Sequence, residues 1–122
     1  MDRYDPYEDA EQRGIDVIHR SIRTANGLWL PDHNLIVIRS GMRAVHDRCA
    51  LAHELAHAAL GHRDDRPKHE VQADHLAAHN LIDLDRCRDV MKWAPDVGRL
   101  ANELDVSTRL LMAFLHQNQL AS

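Results

Sequence analysis

Residues 48–78 read RCALAHELAHAALGHRDDRPKHEVQADHLAA. From just upstream of this stretch, Val45, Cys49, Ala52, Ala56 and Ala59 recur at three- and four-residue steps, which lays an apolar stripe along a helix over residues 43–60. Gly61 stops that helix, and the polar break 62–67 (HRDDRP) separates it from a second one over residues 68–82, with Val71, His75, Ala78 and Ile82 on one stripe. Downstream, helices are expected near 85–94, 96–104 and 107–118, punctuated by Pro95 and by Val106-Ser107. Upstream, residues 6–13 (PYEDAEQR) open on a proline suited to a first helical turn and stop at Gly14. Ile15, Val17 and Ile22 then mark an extended segment. Residues 27–30 (GLWL) and 35–38 (LIVI) flank the turn residues PDHN, the signature of a hairpin. The expected fold class is α+β, helix-dominated, with a small antiparallel sheet and C-terminal helices.

A chain of 122 residues, 44% hydrophobic and 28% charged, falls in the globular range and excludes disordered, collagen-like and disulfide-scaffold classes. It contains no repeat and no linker-like stretch, so one domain over residues 1–122 is expected, with a core over 1–82 and a helical extension over 83–122. The net charge of -4 lacks the basic footprint that phosphate backbones require, so direct nucleic-acid binding is not expected. No apolar run is long enough to span a bilayer, and residues 1–13 are too polar and acidic for a signal peptide, which makes the cytoplasm the expected location. Cys49 and Cys87 lie in helical segments and are expected to be buried, reduced thiols.

Ten histidines is a high count, and four of them, His53, His57, His62 and His69, fall within seventeen residues. His53-Glu54-Leu55-Ala56-His57 is an HExxH in the middle of a helix. Histidines four apart project from one helical face about 5 to 6 Å apart, so both imidazoles reach one zinc ion while Glu54 points at its open position. Zinc lowers the pKa of bound water to about 7, and a carboxylate beside that water can take its proton and later pass it to a leaving amine. The pattern points to metal-assisted amide hydrolysis with Glu54 as general base. A histidine-rich chain can produce this pentapeptide by chance; the helical setting, the flanking alanines and leucines and a third ligand downstream argue against chance here. Asp64, Asp65, His69, Glu70, Asp74 and His75 are the available third ligands. HExxHxxGxxH is excluded, because it needs glycine at 60 and histidine at 63, where this chain has Leu60 and Arg63. Glu70 is favoured, with His69 as runner-up. Asp74 follows Glu70 by four residues on the same helical face, so Glu70 can give an oxygen to zinc while Asp74 accepts a hydrogen bond from the far nitrogen of a ligand histidine.

HELAHAALGH at 53–62 followed by EVQADHLAA at 70–78 resembles the ImmA/IrrE family of metallopeptidases, a gluzincin-like group of bacteria, phages and integrative elements. RGIDVIHRSI, GLWLPDHNLIVI, RCALAHELAHAALGH and LANELDVSTRLLMAFL follow that family's order of strand, hairpin, active-site helix and C-terminal segment, so about 110 of the 122 residues are covered. The resemblance implies a zincin-like minimal domain with His53, His57 and Glu70 as zinc ligands and Glu54 as catalytic base. It also implies a specific protein substrate, typically a helix-turn-helix repressor. The chain departs from many members at Gln72, where they carry a second glutamate; the pairing of Glu70 with Asp74 is expected to preserve the ligand set.

Residues 100–115 also look like a helix-turn-helix, but with only Arg99 and Arg109 as basic residues they are expected to pack on the core, burying Leu100, Leu104, Leu111 and Phe114, with Ser107 capping the last helix. Trp29 and Trp93 are expected core aromatics. Residues 35–38 are equally readable as an internal strand or as a sheet edge that accepts an extended substrate. Tyr4, Tyr7, His62, His79 and His116 are the candidates for stabilising an oxyanion. The competing functional reading is a regulatory binding module, for a repressor, DNA or a toxin or antitoxin partner, with a vestigial zinc site.

Overall fold

The computed structural model describes residues 3–120. In chain order its elements are α1 (Pro6–Gln12), β1 (Asp16–Arg20), β2 (Gly27–Leu30), a single 3-10 turn (Pro31–His33), β3 (Leu35–Arg39), α2 (Ala44–Ala59), α3 (Pro67–Leu81), α4 (Leu84–Met91), α5 (Val97–Leu104) and α6 (Thr108–Gln117). The architecture is α+β with helices dominating, as expected. β2 and β3 form the antiparallel hairpin, with Trp29 opposite Ile36. Asn34 closes the intervening turn with φ +49°, a conformation asparagine tolerates, and its side-chain amide donates to the Gly14 carbonyl at 2.6 Å.

The sheet is nevertheless mixed, which corrects the antiparallel expectation. β1 pairs with β3 in parallel, Val17 opposite Ile36 and His19 opposite Ile38, and the strand order is β1-β3-β2. The 35–38 segment is therefore internal, and β1 and β2 are the edge strands. A parallel neighbour needs no turn signal of its own, because β1 and β3 are joined through the whole of β2.

α2 is sandwiched. Toward the sheet, Ala50, Leu51 and Leu55 pack with Ile36 and Ile38 of β3 and with Ala10 and Ile15. On its other side Cys49, Ala52 and Ala56 meet Ala73, Ala77, Ala78 and Leu81 of α3 and, beyond them, the last three helices. The alanines on both helices let α2 and α3 approach closely, since interaxial distance follows side-chain size at the contact. Ala59, at the end of the expected stripe, is exposed. The buried face of α3 is also rotated from the expected one: Ala73, Ala77 and Leu81 are buried, whereas Val71 is 53% exposed. That rotation turns Glu70 and Asp74 toward α2.

In the C-terminal segment Leu100, Leu104, Leu111 and Phe114 are all buried in the α2/α3 core, and Ser107 caps α6 by accepting from the Leu110 N–H at 3.2 Å. Cys49 and Cys87 are buried and unpaired. Trp29 is half-buried against the sheet-side core, but Trp93 is 54% exposed, with the Arg99 guanidinium 5.3 Å from its ring centroid. An indole covered by a cation on one face needs no burial. Among the described residues no helix is long and apolar enough to cross a membrane.

Candidate metal centre

His53 and His57 sit in the middle of α2 on the edge between its two apolar faces, and Glu70 sits in the first turn of α3. Their donor atoms converge. His57 Nε2 lies 2.8 Å from Glu70 Oε1 and 3.2 Å from His53 Nε2, and His53 Nε2 lies 3.1 Å from Glu70 Oε2. A tetrahedral ion with bonds of about 2.0 to 2.1 Å holds its ligands about 3.3 Å apart, so these three residues fit a metal with almost no rearrangement. They are also the one group of three among the described residues whose ligand atoms gather this closely. His69, the runner-up as third ligand, is turned away: its Nδ1 lies 2.7 Å from Asp64 Oδ1.

Each histidine is fixed from behind. His53 Nδ1 donates to Asp74 Oδ1 at 2.9 Å, the arrangement expected of ExxxD. Burial by itself would lower the His53 pKa, but the Asp74 hydrogen bond and the surrounding carboxylates outweigh it and the net direction is upward. Asp74 is held below its ordinary value despite its burial, by His53 and by Arg109. Arg109, from the start of α6, donates Nε to Asp74 Oδ2 at 3.0 Å, and its guanidinium lies 3.7 Å from Glu70 Oε2. The C-terminal segment thus delivers a cation to the rim of the site, which residue spacing gave no reason to expect. His57 is backed by His62, Nδ1 to Nδ1 at 2.9 Å. For His57 burial dominates and lowers the pKa, with the neighbouring His53 adding to it.

Glu54 is 8% exposed. Burial pushes its carboxyl up to about 7; His53 opposes the rise and Glu70 adds to it. Gly27 on β2 makes room for it, because a Cβ there would come within 3.0 Å of Glu54 Cγ and 3.2 Å of Ile38 Cδ1. Spacing alone could not single out Gly27; its role depends on β2 running past α2. Glu54, His53, His57 and Glu70 share a cleft of about 810 Å³, walled by Gly27, Leu28 and Trp29 of β2 on one side and by the start of α6 on the other.

Of the residues considered for an oxyanion, only His62 lines this cleft. Tyr4 donates to Asp9, and Tyr7 is bound to Asp47 beside His19. His79 is exposed on the outer side of α3. Gln72 does not enter the group of ligand atoms; its Oε1 lies 2.9 Å from His62 Nε2.

Two histidines and a carboxylate on adjacent helices, with a buried glutamate between the histidines, form the donor set of a metallopeptidase-type centre. The chain belongs to the IrrE N-terminal-like domain family of peptidases, whose profile matches residues 10–116. No match is found among curated proteins.

Proposed function

We propose that this protein is a zinc-dependent metalloendopeptidase that hydrolyses a peptide bond in a specific regulatory protein, a helix-turn-helix repressor, in the cytoplasm. In this reading His53, His57 and Glu70 hold the ion, Glu54 is the general base and Asp74 orients His53. The observation that carries it is the convergence of two imidazoles and one carboxylate, with contacts of 2.8 to 3.2 Å, beside a buried carboxyl, in a chain of a peptidase family.

Zinc held there would supply Lewis acidity, making water a nucleophile near neutral pH and polarising the scissile carbonyl. Glu54, buried in the same cleft as the three ligands, is placed to take a proton from the attacking water and deliver it to the leaving amine. The β2 edge along the cleft suits an extended substrate, which would add to the sheet by main-chain hydrogen bonds and lie across Glu54.

The test is co-expression with candidate helix-turn-helix regulators, beginning with any found among the neighbouring genes. Wild type should cut one of them at one position, and Glu54→Gln should bind zinc and that regulator without cutting. Relief of repression by Glu54→Gln equal to that by wild type would mean sequestration, and the protease reading would fall.

A further inference from the structure

His62 is 6% exposed, and the proteolytic mechanism gives it no part. The fold nevertheless brings it back onto a ligand histidine twice. Gly61, at φ +72°, ends α2 in a left-handed cap, in which the Gly61 N–H donates to the Ala58 carbonyl at 3.2 Å and the His62 N–H to the His57 carbonyl at 3.0 Å. The reversal that satisfies those carbonyls also carries the His62 ring to His57, Nδ1 to Nδ1 at 2.9 Å. On its far side His62 Nε2 meets Gln72 Oε1 at 2.9 Å, and its face stacks on His69 with centroids 3.9 Å apart and planes 9° from parallel.

The chemistry of this chain of contacts runs in one direction. A neutral imidazole has one N–H and one lone pair. The Gln72 carbonyl oxygen only accepts, so the His62 proton sits on Nε2 and its Nδ1 offers a lone pair. The one hydrogen between the two rings must then belong to His57 Nδ1. That leaves the His57 Nε2 lone pair for a metal, which would stand in for the hydrogen that the Glu70 carboxylate, 2.8 Å away, otherwise draws onto Nε2.

We propose that His62 and Gln72 are positioning residues that form a hydrogen-bond relay locking His57 in its Nδ1–H tautomer. The relay rests on the reading of His57 as a metal ligand. It gives the two ligand histidines different anchors: a carboxylate, Asp74, for His53, and a neutral imidazole backed by an amide for His57. Gln72 is exposed apart from this contact, so it can be changed without disturbing the core.

The full chain is tested with zinc alone, by chelator competition, and without metal by the nitrogen NMR signals of the His57 ring. Gln72→Leu should lower zinc affinity by about 10-fold, and His62→Leu by about 10- to 100-fold. Gln72→Glu, which retains an acceptor, should stay close to wild type at mildly alkaline pH. In the metal-free protein, where the Glu70 carboxylate 2.8 Å away competes for a hydrogen on His57 Nε2, Gln72→Leu should shift the His57 signals toward the Nε2–H tautomer, a change that mere loss of packing would not produce. Unchanged zinc affinity and tautomer in both leucine variants, with His57→Ala abolishing binding, would overturn the relay and leave the metal site standing. Zinc affinity untouched by His57→Ala would overturn both.

Discussion

Replacing Glu54 by glutamine in chelator-treated protein should stabilise the fold, in a way that depends on pH. The carboxyl is raised from its ordinary value of 4.5 to about 7, chiefly by burial. At about 1.4 kcal/mol for each pH unit between those values, ionising it in place costs the folded state about 3 kcal/mol. The sign follows from proton binding. Between about 4.5 and 7 the folded chain keeps a proton on Glu54 that the unfolded chain has released, so stability falls as pH rises through this window. Below it both states are protonated and there is no penalty; above it the penalty is complete. Glutamine has the same shape but never ionises. Urea unfolding at pH 4 and pH 8 reads the difference directly. The variant should match wild type at pH 4 and exceed it by about 2 to 3 kcal/mol at pH 8. Saturating zinc should shrink the gap, because a nearby dication favours ionised Glu54. A variant no more stable than wild type at pH 8, or equally favoured at both pH values, would refute the idea that a buried carboxyl is held here against the stability of the fold.

Asp74→Ala should weaken zinc binding by about 10- to 100-fold in chelator competition without removing a ligand, since the His53 ring loses its anchor; unchanged affinity would reduce Asp74 to a partner of Arg109. Gly27→Ala should leave zinc affinity near wild type while lowering the rate of substrate cleavage, because the added methyl would lie 3.0 Å from Glu54 Cγ and must displace the base; equal cleavage rates would show that β2 yields instead. Leu111→Ala, at a fully buried site, should cost about 2 to 5 kcal/mol in thermal or urea unfolding, and a change below about 1 kcal/mol would mean that α6 is not part of the core.

The parts legible in the sequence are those that local spacing controls. The helix periods, the hairpin turn, the His53/His57 pair and the Glu70/Asp74 pair all depend on residues within one or two turns of each other. What escaped depends on distant segments. The second apolar face of α2, Leu51 and Leu55, becomes meaningful only once β3 lies against it. The parallel β1–β3 pairing leaves no mark in either strand. Val71 falls outside the α3 stripe because the small residues Ala73, Ala77 and Ala78, weak signals in a sequence, form the face that packs on α2. His62 stood out as a histidine, but its role needed the reversal at Gly61 and the approach of Gln72. In the sequence Arg109 is only one of two basic residues in the helix-turn-helix-like segment, and the packing of α6 on α3 is what brings it to Asp74.

The most direct test of the account is a crystal structure of the zinc-soaked protein with anomalous scattering recorded at the zinc edge. One peak should lie within about 2.0 to 2.2 Å of His53 Nε2, His57 Nε2 and a Glu70 oxygen, with Glu54 facing its open side. Zinc held through His69 or His62, with Glu70 turned to solvent, would contradict it.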